Sequence, residues 1–148
     1  MALTEAACFS VALSFLWWPS IGQAQPNKDL YELQERCGKR AEEVFNKTYK
    51  RMSEADGAKL FFDFENHYNP RLNKCFILVT RTTFKVVEGK LTEQTSETTW
   101  LRDLNDNREY GTYVWFSTLA APFTCEVRGK QCRSEQEWRE LIKPFMED

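Results

Sequence analysis

The chain has 148 residues, and its 20 Lys and Arg are interspersed with 22 Asp and Glu without long runs of one sign. This length suits one domain with one modest core. The charge pattern lacks the basic stripe typical of nucleic-acid-binding proteins and gives no support for binding to an anionic membrane surface. We therefore expect no nucleic-acid partner.

The N-terminal segment has the pattern of a secretory signal peptide. An apolar run is broken by Pro19, and the small residues Gly22 and Ala24 follow at the spacing that signal peptidase accepts. The segment departs from the usual pattern in one respect, because its start carries a glutamate and no Lys or Arg. The run is too short to cross a hydrocarbon core of about 30 Å. We predict a signal peptide over 1–24 and a single domain, with no membrane span, over 25–148.

Four cysteines remain after the predicted cleavage, and an even number in an exported chain favours disulfides. In "CEVRGKQC" a two-residue turn at Arg-Gly places Cys125 opposite Cys132 in a hairpin, at a Cα separation of about 5.5 Å that suits a disulfide. This leaves Cys37 to pair with Cys75. Zinc binding is the alternative, but the chain has no Cys-x-x-Cys pair. We predict these two disulfides, no metal site and no cofactor.

The first predicted element is an amphipathic helix that starts near Asn27. Apolar residues recur at spacings of three and four through "NKDLYELQERCGKRAEEVFNKTY", and Cys37 lies on the apolar face. This position agrees with a disulfide from the helix to the sheet.

Four strands are predicted next, because period-two patterns rich in aromatic and β-branched residues cover 60–68, 73–84, 95–104 and 109–117. A small disulfide hairpin follows them. Ser134 and Glu137 then form a capping box before an apolar stripe that includes Trp138, and Pro144 should end or kink this last helix. The fold class is therefore α+β: an N-terminal helix, about four antiparallel strands in meander order and a C-terminal helix, with both helices on one sheet face.

The stretch "ENHYNPRLNKCF" holds the single histidine of the chain, and three of its residues are candidate binding residues: His67, Tyr68 and Arg71. The expected structure is a strand, a turn begun by an Asn-Pro pair, and a second strand. A nucleophile activated by His67 is not expected, since the cysteines are predicted to be disulfide-bonded. The neighbouring carboxylates Asp63 and Glu65 alternate onto one strand face, a spacing too common to indicate acid–base catalysis.

Trp100 and Trp115 are the other candidate binding residues, and Tyr113 accompanies them. If both helices cover one face of the sheet, the other face is open to solvent, and aromatic side chains there would form a binding patch. The alternative is that a curled sheet buries them as ordinary core.

Four stretches together, "YELQERCGKR", "ENHYNPRLNKCF", "DNREYG" and "QCRSEQEW", resemble a group of small exported bacterial proteins of uncharacterised activity. The resemblance spans nearly all of the predicted mature chain. It implies a bacterial, periplasmic or secreted setting, and it implies no ligand and no catalytic residue.

The expected function is that of a non-enzymatic exported domain that binds a protein or a cell-envelope component through a sheet face or edge. Two alternatives stay open. One is a small hydrolase that uses carboxylates and His67. The other is an inhibitor of a secreted protease or lysozyme that presents the disulfide-braced loop 125–132 to an enzyme cleft.

Overall fold

The computed structural model describes residues 28–147, and the predicted signal peptide lies outside this range. Along the chain, helix α1 is followed by seven strands and then by helix α2. The elements are α1 (Lys28–Thr48), β1 (Met52–Ala55), β2 (Ala58–Asn69), β3 (Lys74–Val87), β4 (Lys90–Asp103), β5 (Arg108–Phe116), β6 (Thr124–Val127), β7 (Lys130–Gln131) and α2 (Glu135–Met146).

The strands form one antiparallel sheet in which each strand pairs with the next along the chain. This confirms the α+β class, the antiparallel sheet and its meander order. The predicted count of about four strands is wrong, because β1 joins the sheet and the disulfide hairpin extends it through β6. Neither described helix is long and apolar enough to cross a membrane.

The additional strand pairing comes from two-residue turns that end in glycine. Asp56-Gly57, Glu88-Gly89 and Arg128-Gly129 each place both central residues at positive φ, between 50° and 79°. Such turns match the right-handed twist of the flanking strands, so they join them into tight hairpins. The first of these turns creates β1, and the second extends β3 and β4 to 14 residues each.

The two helices cover opposite faces of the sheet, so the prediction that they share one face is wrong. Alternate residues of β3 show this directly: Ile77 and Val79 pack with α1, whereas Phe76 packs with α2. Successive side chains of a strand point to opposite faces. Each face of the sheet therefore has its own hydrophobic cluster.

The cluster under α1 is built around one helix stripe, with Cys37, Ala41 and Phe45 buried. Phe45 is fully buried, and its ring centroid lies 4.6 Å from that of Phe64 on β2. The predicted disulfide between Cys37 and Cys75 is present, with a Cα separation of 5.4 Å. It fixes α1 over β2 and β3.

The cluster under α2 is centred on Trp138, which is 3% exposed. The predicted N-cap is present, since the Ser134 hydroxyl accepts a hydrogen bond of 3.1 Å from the Glu137 amide. The other end of the helix is held by Asn69, whose side-chain amide donates to the Pro144 carbonyl at 3.0 Å. The helix therefore crosses the sheet from β6 to the β2–β3 turn.

The second predicted disulfide, between Cys125 and Cys132, is also present, with a Cα separation of 5.0 Å. It closes the hairpin of β6 and β7. Because β6 pairs with β5, this hairpin is part of the sheet and not a loop that projects from it.

The β4–β5 turn is tied to the start of β3 by charge. The Asp103 carboxylate is fully buried and binds Lys74, which also contacts Asp106 at 2.6 Å. Both hydrogen bonds raise the pKa of Lys74, and the bond from Lys74 lowers the pKa of Asp106. The Asn105 side chain accepts from the Cys75 amide at 2.9 Å and completes the attachment.

Candidate functional site

The three candidate residues of the "ENHYNPRLNKCF" stretch do not form one site. His67 is half-buried on the face covered by α2, and Arg71 is exposed in the β2–β3 turn. Tyr68 is buried on the α1 face, where its hydroxyl donates to the Asn73 side chain at 2.6 Å. The stretch forms the expected strand, turn and strand, and adjacent residues point to opposite faces.

The two candidate tryptophans also lie on opposite faces of the sheet. Trp115 belongs to the α2 cluster and Trp100 to the α1 cluster. Trp115 lines a pocket of about 440 Å³ together with Tyr113, whose pKa is raised by burial and by the nearby Glu135 and Glu97. The expected patch of Trp100, Tyr113 and Trp115 is therefore divided between two separate surfaces.

The carboxylates beside His67 share its strand face, as the alternation predicts. Asp63 is opposite Thr80 on β3 and forms an ion pair of 3.5 Å with Arg51 at an exposed edge. All four cysteines within residues 28–147 are in disulfides. In the same range, no group of three or more His, Cys, Asp or Glu side chains is placed to hold a metal ion.

The surface around Trp100 is partly open, because helix α1 covers only part of that face of the sheet. The helix packs across β2 and β3, as shown by Phe45 against Phe64 and by the disulfide to Cys75. Trp100 on β4 stands beside the helix and is half-buried. Beyond it, Thr112 on β5 is its cross-strand partner. The sheet therefore continues past the helix with Trp100 at the boundary.

Two arginines bracket Trp100 on this face. The Arg81 guanidinium lies 5.4 Å from the centroid of the indole ring and donates to the Thr98 hydroxyl at 3.0 Å. Arg102 is two residues along β4 from Trp100 and points to the same face. The Nε atoms of both arginines are buried without a hydrogen-bond partner among residues 28–147. Neither arginine forms an ion pair with a described carboxylate.

Helix α1 adds positive charge above this floor. Successive helical residues are about 100° apart, so the buried position of Ala41 fixes where the others point. Tyr49 stacks on Phe62 of β2 and so marks the flank of the helix towards β2. The opposite flank faces β4, and it carries Arg40, Lys47 and, between them along the helix, Glu43, all exposed.

Basic residues of the helix and of β4 lie at the same level along the groove. Phe45 lies at the level of Trp100, because it contacts Phe64, whose neighbours across the sheet are Val79 and then Trp100. Arg40 is five residues before Phe45, about 7.5 Å along the helix. Arg102 is about 6.7 Å along β4 in the same direction. These two side chains therefore start from the same level on either side of the groove.

We call this surface the Trp100 groove and define it by five residues: Arg40, Lys47, Arg81, Trp100 and Arg102. On its outer side the charge is mixed. Glu109 and Glu126 lie on the same sheet face farther from α1, and both line a depression of about 530 Å³ over β5 and β6. Glu109 accepts a 2.5 Å hydrogen bond from Thr112. Arg108 and Arg128 line the same depression, and Glu109 is the cross-strand partner of Arg102, so basic and acidic groups are mixed on this side.

Of the predicted site residues, the Trp100 groove contains only Trp100. Sequence reasoning missed Arg81 and Arg102, although both lie within predicted strands. Arg102 is two residues after Trp100, so the alternation of a strand places the two side chains on the same face. It also missed the basic flank of α1, which the helical spacing of Arg40 and Lys47 shows once one face is known to be buried.

No protein-family model, curated protein or solved structure was found to be significantly similar to this chain.

Proposed function

We propose that this protein is an exported, non-enzymatic domain that binds a protein or cell-envelope component in the Trp100 groove. The observation that carries the proposal is the pair of arginines, Arg81 and Arg102, that bracket an accessible tryptophan without ion-pairing to the rest of the described chain. Arginine and tryptophan are the residue types most often found at the energetic centres of protein interfaces.

The charge of the two arginines supports a binding role. Their Nε atoms are buried, so a ligand would contact the terminal N–H groups. A ligand with acceptor groups over Trp100 would bind those groups, since arginine binds carboxylates and phosphates in a forked geometry.

The export part of the proposal rests on the two disulfides and on the signal-like N-terminal segment. Expression of the full chain in a bacterium, followed by osmotic-shock fractionation and N-terminal sequencing, tests it. The expected product is a periplasmic or secreted chain that starts at Gln25 and has no titratable thiol. A cytoplasmic chain with free thiols would contradict it.

Ligand binding is tested by capture on the immobilised protein from a periplasmic and envelope extract of the host. Trp100→Ala is compared with Trp115→Ala, a matched substitution of the half-buried tryptophan on the opposite face. We expect a ligand that the wild type and the Trp115 variant retain and that the Trp100 variant loses.

Arg102→Ala serves as a second groove variant in case Trp100→Ala fails to fold, as judged by its thermal melt. It removes the guanidinium without removing the aromatic floor. If both groove variants fold and retain every ligand that the wild type captures, the groove is not the binding site and the proposal fails.

A further inference from the structure

We propose that the ligand of the Trp100 groove is an acidic protein segment whose carboxylates pair with Arg81 and Arg102 on either side of the indole ring. This inference rests on the proposed function and specifies the partner for the same site. It follows from the charge of the groove and from the apolar surface at its end.

The charge of the groove requires a negatively charged ligand. Its floor carries Arg81 and Arg102, and its helix wall carries Arg40 and Lys47. The remaining basic residue of this flank, Arg36, is exposed one turn before Arg40. None of these five basic residues takes part in an ion pair with a described residue. Their charges are therefore available to an incoming anion.

The acidic residues of α1 cancel this charge only in part. Glu43 lies about one turn from both Arg40 and Lys47 on the same flank, so the three basic residues there keep a net positive charge. Glu35 pairs with Lys39 at 2.6 Å, away from the groove, and Glu32 lies near Lys28 at 3.9 Å. Asp29 shares the groove flank but stands in the first helical turn, more than two turns before Arg40.

The apolar surface at one end of the groove favours a protein over an anionic polysaccharide. Val114 and Phe116 are cross-strand partners of Thr98 and Ser96, so they point to the same face as Trp100. Phe116 is 39% exposed and contacts Phe123, which is 72% exposed, with ring centroids 6.0 Å apart. A polypeptide supplies both carboxylates and apolar side chains, whereas a polysaccharide lacks apolar groups of this size.

The β5–β6 side of the face carries Glu109 and Glu126 together with Arg108 and Arg128, so its charges offset one another. The net positive charge lies towards α1, and the acidic residues of the partner are expected there, with its apolar residues towards Phe116 and Phe123.

The experiment measures fluorescence anisotropy with a short labelled peptide rich in Glu and containing interspersed Leu. The same peptide with Gln in place of Glu and an uronic-acid polysaccharide are the competing ligands. The protein variants are Arg102→Glu and Arg40→Glu, and Lys90→Glu is the matched control. Lys90 is an exposed basic residue at the tip of the β3–β4 hairpin, so its reversal changes the net charge equally without touching the groove.

We expect the Glu peptide to bind, with the Gln peptide and the polysaccharide weaker by about tenfold or more, a factor worth about 1.4 kcal/mol. Each charge reversal in the groove should lower the affinity for the Glu peptide by about tenfold, and added salt should lower that affinity further. Lys90→Glu should leave the affinity within about twofold of the wild type. Arg40→Glu keeps the test valid if Arg102→Glu does not fold, because Arg40 is exposed on the helix.

Equal binding of the Gln peptide, or an equal loss in Lys90→Glu, would overturn the assignment of an acidic segment. Tighter binding of the polysaccharide would overturn it in favour of an envelope glycan. Either result leaves the proposed function standing if capture of the natural ligand still depends on Trp100. If the Glu peptide binds but capture is independent of Trp100, the proposed function fails instead.

Discussion

Replacing Trp138 with alanine should destabilise the domain by about 3–5 kcal/mol. The side chain is 3% exposed, and it packs on the glycine at Gly111 and beside Tyr113, with ring centroids 5.8 Å apart. A buried indole removes about 200 Å² from water, which at about 25 cal/mol per Å² corresponds to about 5 kcal/mol. Alanine would recover a small part of this burial.

Urea and thermal melts of the two proteins measure the change. For a chain of this size about 4 °C of melting temperature corresponds to 1 kcal/mol, so we expect a decrease of about 12–20 °C. Trp115→Ala, which removes a half-buried indole on the same sheet face, should cost less. A loss below about 1 kcal/mol for Trp138→Ala would refute the reasoning, because it would mean that α2 does not seal this face.

Three further predictions follow from particular contacts. Gly111→Ala would place a Cβ 2.8 Å from the Glu126 carbonyl oxygen, so melts should show a loss of about 1–3 kcal/mol, and an unchanged melt would contradict this close approach. His67→Gln should change stability by about 1 kcal/mol or less and leave ligand affinity unchanged, because His67 lies on the face opposite the groove; a tenfold loss of binding would refute this. The Lys74 hydrogen bond lowers the pKa of Asp106, so its stabilisation is present above the unfolded pKa of about 3.9 and is lost as pH falls through the lower folded value. Asp106→Asn should therefore flatten the acid side of the stability curve, and identical curves for the two proteins would contradict this.

The sequence was sufficient where a feature depends on residues close in the chain. The cap at Ser134 and the amphipathic stripe of α1 are local patterns, and both are present. The pairing of Cys125 with Cys132 followed from a two-residue turn, and the remaining pair then followed by elimination. The missed hairpin at Asp56-Gly57 was readable too, because Asp-Gly between strands is a strong turn signal.

The location of the candidate site depended on relations between distant residues. Alternation tells which residues of one strand share a face, but the face that Trp100 shares with Arg81 depends on the register of β3 against β4. A shift of one residue in that register would reverse the assignment. The side chosen by each helix likewise depends on packing across the whole sheet. The sequence determined the class of fold, the disulfides and the residue types. The tertiary structure separated Trp100 from Trp115 and placed it between Arg81 and Arg102, beside the basic flank of α1. Only folding fixes which strand faces and helix flanks meet.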